Sequence, residues 1–516
     1  MNVACCIALL AAVALGLCSP ATAELGAWFA PSALKVLRDV KPTKAHKWEL
    51  AAARNEVEAC QLVLLSDKAL SGVRISVSEL RHTRVEASLK AELNKVEYVP
   101  NVVKDTPYPD PLPPLKPLDL QPNRAQPVWI SVRVPKDAAP GTYRGTVTVQ
   151  AGRQKLELPL SVHVWDFALP DTPSCVTAFG IFGGIARVHG VEEGSTAYRE
   201  LYAKYYEMLL DHKVSAYTLP ADVMSDAVAR YMDDPRMTSY TIPYPADDAE
   251  LRKIVARLIE KDWFRKGYWY PIDEPVNKDA YDRFSQICER LRSVEPRYRI
   301  VTPFFRNPDF GENPNTFDTM LGKANIWCCV SSYLDAEPTA RKRMAERKNA
   351  GDAVWWYVCC GPGEPYNNFF VQMPAMSHRV LFWQQRREGL QGLLYWSTTW
   401  WNPNDGCDDP WESMMTVRSI NPDIRGDGSL FYPGKRVGID GPVSSQRLEC
   451  IRDGAEDFEY LTLADQRLGP GAAAQYVARI CTSLKEWEHD PLKLEAVRRE
   501  LGEALEKATV GARKGI

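Results

Sequence analysis

The sequence predicts a multidomain protein of α and β structure: an N-terminal β-sandwich, then a (β/α)8 TIM-type barrel, then a C-terminal helical tail. Three observations carry this expectation. Between 24 and 170 the chain reads as short β-rich runs broken by turn residues, the spacing of a sandwich. From 174 to 470 strand-like and helical patterns alternate, the spacing of a parallel barrel. From 471 to 516 only helical patterns remain. A chain of 516 residues is also too long for one ordinary core.

Residues 1–23 read as an export leader. Val3 to Leu17 is apolar yet too short to span a bilayer, and Ala21-Thr22-Ala23 offers a small-x-small cleavage site. A basic region before the apolar run is missing. The expected mature chain begins near Glu24 and is exported, to a periplasmic, cell-surface or secreted location.

In the sandwich the strand candidates are Val57 to Leu65, Val73 to Val77, Val128 to Val134, Tyr143 to Val149 and Leu156 to Val164. Ala139-Pro140-Gly141-Thr142 predicts a hairpin between two of them. Seven prolines between Thr106 and Asn123 predict an extended loop. Leu169-Pro170-Asp171-Thr172-Pro173 reads as the linker.

Eight barrel strands are expected at 176–181, 215–219, 239–242, 268–273, 299–304, 325–331, 353–359 and 392–397. Helical patterns lie between most of them, at 197–210, 248–261, 278–294, 338–349 and 376–388. Ser444 to Leu468 reads as a helix with Arg452 and Glu456 spaced for a surface ion pair, and 475–487 and 492–508 form the tail.

The net charge of -3 shows no basic excess, which argues against nucleic acid as a partner. No later apolar run is long enough for a membrane helix. Of thirteen cysteines, ten lie beyond the leader, and their spacing lacks a paired CxxC zinc pattern. Most are expected to be buried thiols, with the neighbours Cys328-Cys329 and Cys359-Cys360 separated onto alternate faces. A few disulfides stay open in an oxidising compartment, without a pairing the sequence can give. No cofactor and no metal is expected; Asp408-Asp409 reads as a solvated turn.

The chemistry centres on Tyr268-Trp269-Tyr270-Pro271-Ile272-Asp273-Glu274-Pro275. An aromatic run favours a strand, and Pro275 ends it. Adjacent side chains on a strand point to opposite faces, so two carboxylates share a pocket only where the chain bends at its end. That end is where barrel enzymes place catalytic residues. Glycoside hydrolysis needs a proton donor and a stabiliser for an oxocarbenium-like centre. An adjacent Asp-Glu cannot straddle a glycosidic bond as the usual carboxylate pair does. It suits substrate-assisted catalysis, with Asp273 orienting a 2-acetamido group and Glu274 as acid and then base. Their mutual repulsion would raise one pKa.

Ten of the fifteen tryptophans lie between Trp263 and Trp411, and flat aromatic faces suit the C–H face of a sugar ring. Trp396, Trp400, Trp401, Asn402, Tyr333 and Tyr357 sit at strand ends or in loops and are proposed sugar contacts. Asn368, His378 and Arg379 join them, His378 and Arg379 having capping or buried bonding as the alternative. Gly426-Asp427-Gly428 reads as a hairpin turn, and Asn55 and Glu56 as structural.

Residues spread over most of the mature chain resemble glycoside hydrolase family 123. They include Ala51-Ala52-Ala53-Arg54-Asn55-Glu56, Val134-Pro135-Lys136-Asp137, Ile272-Asp273-Glu274-Pro275 and Trp355-Trp356-Tyr357-Val358-Cys359-Cys360. His378-Arg379-Val380-Leu381-Phe382-Trp383, Leu394-Tyr395-Trp396-Ser397, Gly426-Asp427-Gly428 and Arg447-Leu448-Glu449-Cys450-Ile451-Arg452-Asp453-Gly454 continue the resemblance. It implies a sandwich before a barrel and a retaining β-N-acetylgalactosaminidase, with Asp273 as stabiliser and Glu274 as acid/base. The substrate would be a glycan or glycoconjugate with a terminal N-acetylhexosamine. Two alternatives stay open: a two-carboxylate retaining glycosidase using Glu274 with Asp335 or Glu337, and a non-catalytic carbohydrate-binding protein.

Overall fold

The computed structural model describes residues 23–104, 106–305, 316–418 and 420–514; the expected leader, Ala23 apart, lies outside the described residues. The N-terminal region is built from two sheets. One has four strands, with Glu56–Ser66 between Leu25–Pro31 and Gln126–Val134, and Ala91–Lys95 at one edge. The other is led by Gly141–Ala151 and Gln154–Ala168, which pair antiparallel along their length. Burial along Gly141–Ala151 alternates after Tyr143, as period-two geometry demands of a strand with one face inward. Leu62 and Leu64 of the first sheet and Val147 and Val162 of the second share one apolar core.

Two local expectations change here. Ala139-Pro140-Gly141-Thr142 makes no hairpin, because Gln126–Val134 and the strand beginning at Gly141 belong to different sheets. The proline-rich segment is not all loop: Thr106–Pro109 pairs with Tyr98–Val103, and Leu118–Leu120 pairs with Leu70–Val77. Short edge strands tolerate proline because one row of their backbone groups needs no partner.

The remainder alternates strand and helix. Its strands are β1 (Val176–Phe179), β2 (Tyr240–Thr241), β3 (Gly267–Tyr268), β4 (Val301–Phe304), β5 (Ile326–Val330), β6 (Ala353–Val358) and β7 (Gly392–Tyr395). The main helices are α1 (Thr196–Asp211), α2 (Asp248–Glu260), α3 (Lys278–Val294), α4 (Ala340–Asn349), α5 (Ala375–Glu388), α6 (Gln446–Arg467) and α7 (Pro491–Lys514). Five strands form one parallel sheet in the order β1-β7-β6-β5-β4, and β2 and β3 form a parallel pair. Single parallel bridges, Trp269 to Ile300 and Phe179 to Ala216, extend the two arcs.

The ladders are therefore shorter than eight full strands would give. Pro271 removes a donor just beyond β3. At the expected second strand the Ser215 N–H donates to the Thr177 hydroxyl at 2.7 Å, and the Thr238 N–H donates to Ser215 Oγ at 2.7 Å. These side-chain bonds flank a short backbone pairing, in which Phe179 N–H donates to the Ser215 carbonyl at 2.9 Å and Tyr217 N–H to the Phe179 carbonyl at 2.8 Å.

Helix α6 is buried along nearly its whole length, and the Arg452–Glu456 pair expected at the surface is internal. It is part of a charge network joining the two regions. Arg498 of α7 meets Asp457 at 2.7 Å, Glu58 at 2.7 Å and also Glu56. Arg379 of α5 takes the other side of Asp457. The tail is less helical than expected at its start: the helix Ala474–Ile480 ends at Cys481, which bridges to Trp487.

Candidate active site

The Asp-Glu step follows β3, where Trp269 is still fully buried and the chain then turns. Glu274 has φ of 41°, in the left-handed region that costs a non-glycine residue about 1–3 kcal/mol and clusters at functional sites. The Tyr244 hydroxyl donates to the Pro271 carbonyl at 3.2 Å and braces the turn. Helix α3 is capped not by either acid but by Asn277, whose side chain accepts from the Ala280 N–H at 2.9 Å. Both carboxylates are thus free of capping duty.

Each acid has its own tyrosine. The Tyr270 hydroxyl donates to Asp273 Oδ1 at 2.7 Å, and the Tyr357 hydroxyl, at the end of β6, donates to Glu274 Oε1. Asp273 is exposed, whereas Glu274 is largely sheltered. The buried Cys328 thiol on β5 feels the negative charge of both acids, so the two lie over the same end of the parallel strands. Burial raises the Glu274 carboxyl above the ordinary glutamate range; the Tyr357 hydrogen bond opposes this and the Asp273 charge adds to it. The arrangement holds one carboxyl poised to keep its proton beside one open to solvent and substrate.

The neighbouring wall is aromatic. Trp396 and Trp400 meet edge-on with centroids 5.3 Å apart, and Phe182 lies 5.9 Å from Trp396 and 6.0 Å from Trp400. Phe182 is 41% exposed, so this aromatic cluster reaches solvent. Asp427 accepts from Trp396 Nε1 at 3.0 Å and from the Tyr395 hydroxyl at 3.2 Å, which orients the Trp396 ring. Burial pushes its carboxyl up to about 7. Gly428 has φ of 68°, and a Cβ there would fall 2.2 Å from the Trp396 ring, so only glycine fits. The thiol of Cys360 feels both Asp427 and Glu274, which ties this wall to the acids.

Family-model comparison matches 207–464, half of the chain, to the glycoside hydrolase 123 catalytic domain. Residues 34–151 match the glycoside hydrolase 123 N-terminal domain. The chain belongs to glycoside hydrolase family 123. Among solved structures, a family 123 glycoside hydrolase from Clostridium perfringens, described for glycolipid glycan hydrolysis, shares the fold. Its TM-score is 0.69 at 14% identity, covering 95% of this chain and 99% of that one. A β-glucuronidase from Parabacteroides merdae has a TM-score of 0.30 at 10% identity, covering 85% of this chain and 52% of that one. No curated protein matches the sequence.

Within this family 123 hydrolase the other expected sugar contacts scatter. Tyr357 reaches Glu274, and Trp396 and Trp400 form the aromatic wall. The Trp400 indole N–H is already given to Asp405 at 2.9 Å. Asn402 donates to the same carboxylate at 3.2 Å, a loop-building contact. Trp401 is buried and donates to Ser429 Oγ at 2.8 Å. Tyr333 is buried against Phe304, with centroids 5.1 Å apart. Asn368 is buried and ties the loop after β6 by donating to the carbonyls of Cys359 and Pro362, each at 2.9 Å. His378 is buried against the Asn368 carbonyl at 2.9 Å, and Arg379 is held by Asp457 and Glu495. In Trp401, Asn368, His378 and Arg379 the polar atoms have internal partners or no solvent path, which fits packing or loop geometry.

Sequence reasoning missed Tyr270, Phe182 and Asp427. Tyr270 had a signal, three residues before Asp273 in the same run; Phe182 follows β1 at the strand ends. Asp427 had none beyond its glycine neighbours. Asp408-Asp409 is a turn in which Asp409 accepts from the Trp411 N–H at 2.9 Å and pairs with Arg436 at 3.3 Å. A cavity of about 720 Å³ lies elsewhere, between Arg133 of the N-terminal sheets and His212, Tyr231 and Glu449. Glu449 is already paired there with His212 at 2.9 Å and with Arg452 at 2.5 Å, so its volume alone does not make it a reaction centre.

Proposed function

We propose that this family 123 hydrolase is a retaining β-N-acetylgalactosaminidase acting by substrate-assisted catalysis. The observation that carries the reading is the adjacent pair Asp273–Glu274 after β3, each acid held by a separate tyrosine and only Glu274 sheltered. In the first step the acetamido carbonyl oxygen attacks the anomeric carbon while Glu274 gives its proton to the departing oxygen. Asp273 accepts from the acetamido N–H and balances the charge of the oxazolinium ring. In the second step Glu274, now a carboxylate, takes a proton from water as that water opens the ring, which restores the original configuration.

Magnitudes rank the parts. A positioned acid gives about 10²–10⁴-fold, whereas a well-placed internal nucleophile supplies roughly 7–11 kcal/mol. A sugar without the acetamido group should therefore be a very poor substrate. The two-carboxylate alternative is disfavoured because Asp335 is engaged by Arg341 at 2.8 Å and Glu337 accepts from the Thr339 hydroxyl at 3.0 Å.

The bridges between the two parallel arcs support a (β/α)8-type barrel carrying this site, behind a β-sandwich. Glycolipid glycans ending in N-acetylgalactosamine are the substrate class we favour, by analogy with the Clostridium perfringens enzyme. The apolar leader supports export. The test is a panel of 4-nitrophenyl β-glycosides of N-acetylgalactosamine, N-acetylglucosamine and galactose, with a thiazoline mimic of the bicyclic intermediate as inhibitor. The galacto-configured acetamido sugar should turn over fastest. Equal turnover of galactoside, or a trapped covalent sugar adduct, would overturn the mechanism.

A further inference from the structure

Cys359 and Cys360 follow β6 at the point where the strand bends. Adjacent residues on a regular strand face opposite ways, but beyond the strand that rule lapses, and the two sulfur atoms come within 3.8 Å. The separation expected of them from the sequence is not found. Cys359 and Cys360 are also the two cysteines that are not fully buried among the ten described. Buried thiols elsewhere are inert: burial pushes those of Cys175, Cys288, Cys329, Cys407 and Cys481 up to about 12.

The pair sits beside the reaction centre. Tyr357, two residues upstream on the same strand, holds Glu274. Cys360 and Trp396 both pack against the cluster of Phe370, Met373, Val417 and Ile424, and the Cys359 carbonyl accepts from Asn368 at 2.9 Å.

We propose that Cys359 and Cys360 are a redox modification site, which takes a disulfide oxidant and closes into a vicinal disulfide that slows the enzyme. The two thiols divide the chemistry. The sulfur atoms share one hydrogen bond in which either can donate, and that sharing holds Cys360 below the ordinary thiol range and Cys359 above it. The Cys360 thiolate attacks one sulfur of a small-molecule disulfide, forming a mixed disulfide and expelling one thiolate, which takes up a proton. Cys359 then loses its proton to solvent, and its thiolate attacks the Cys360 sulfur and expels the second thiolate, which takes up a proton. The protein gives up two electrons and two protons, and the oxidant gains them. Closing the ring draws the sulfurs from 3.8 Å to about 2.05 Å. That displaces the loop next to Tyr357 and disturbs the apolar cluster that Cys360 shares with Trp396. The slowing rests on Glu274 as the acid; ring formation does not.

The full-length protein is incubated with oxidised glutathione, alkylated with iodoacetamide without denaturation and read by peptide mass. The expected result is a peptide spanning both cysteines that lacks two hydrogens and carries no alkyl group. Cys359→Ser should stop at a stable glutathione adduct on Cys360. Wild-type protein that keeps glutathione on either sulfur, or alkylates at both, would overturn the site. In parallel, kcat/KM on the acetamido glycoside should fall roughly tenfold, a modest share of what an ångström-scale misplacement can cost, and recover with dithiothreitol. Cys360→Ser, which lacks the attacking thiol, should show no such reversible fall. A ring that forms while kcat/KM is unmoved would overturn the control, leaving the mass result to judge the site by itself.

Discussion

The Tyr357 hydroxyl donates to Glu274 across 83 residues of chain, from the end of β6 to the turn after β3. A hydrogen bond to a carboxylate stabilises its charged form, so this one restrains the upward push that burial gives the Glu274 carboxyl. The tyrosine thus tunes the proton affinity of the acid as well as its position.

Tyr357→Phe removes that restraint and little volume. Glu274 should then hold its proton to higher pH, and the alkaline limb of kcat/KM should move upward. A hydrogen bond to a charged group is worth about 1.5–3 kcal/mol, enough for the displacement of the limb to be read directly from the profile. A pH profile on an acetamido glycoside checks this; a limb that moves downward contradicts the assigned direction.

Glu274→Gln and Asp273→Asn should fail differently. Without its proton donor the enzyme should lose about 10²–10⁴-fold on glycosides with poor leaving groups. It should lose much less on activated aryl glycosides, whose leaving oxygen needs no proton. Asp273→Asn should cripple both classes, because the nucleophile is disoriented whatever departs. It should also lower the residual alkaline limb, since the Asp273 charge helps raise the Glu274 carboxyl. Steady-state kinetics on paired substrates separate the cases, and equal losses for Glu274→Gln on both would remove it from the acid role.

What the sequence made legible was local. The run from Tyr268 to Pro275 announces a strand end with two acids because aromatic residues, a proline and the carboxylates are contiguous. Helix α3 matches its expected span because Asn277 caps it and its apolar positions recur on one face. Long-range partners were not legible. Arg379 near a helix start reads equally as a sugar contact or a buried bond, because its counter-charges come from Asp457 and Glu495, 78 and 116 residues away. Asp427 reads as a turn residue because nothing beside it reveals Trp396, 31 residues earlier. The turn at Ala139 to Thr142 signals a reversal without saying which sheet receives the next strand.

Asp427→Ala should loosen the Trp396 face and raise KM more than it lowers kcat. An aromatic stacking contact is worth about 0.5–1.5 kcal/mol, so KM should rise a few-fold to about tenfold, with Asp427→Asn restoring part of the loss. The same residue carries a pH signature. Its carboxyl in the folded chain keeps its proton up to about 7, against 3.8 as the ordinary value. Between those values the folded form binds more protons than the unfolded one, so stability falls as pH rises through this window. Asp427→Asn should flatten that slope in denaturation midpoints taken on either side of it.

The largest stability effect should come from the internal charge network. Arg498 is almost fully buried and touches Asp457, Glu58 and Glu56, linking α7, α6 and the N-terminal strand Glu56–Ser66. Burial pushes the carboxyls of Glu56 and Glu58 upward, and the Arg498 charge opposes that push. Arg498→Met keeps much of the volume but leaves those carboxylates short of a counter-charge in a medium that solvates them poorly. Breaking one partner of such a pair costs about 3–5 kcal/mol. Arg265→Ala, which breaks the exposed pair with Asp262, should cost less than about 1 kcal/mol. Chemical denaturation of the two variants beside wild type measures the contrast. Comparable midpoints would mean the buried carboxylates simply take up protons, and in that case the Arg498→Met midpoint should drop only as the pH is raised.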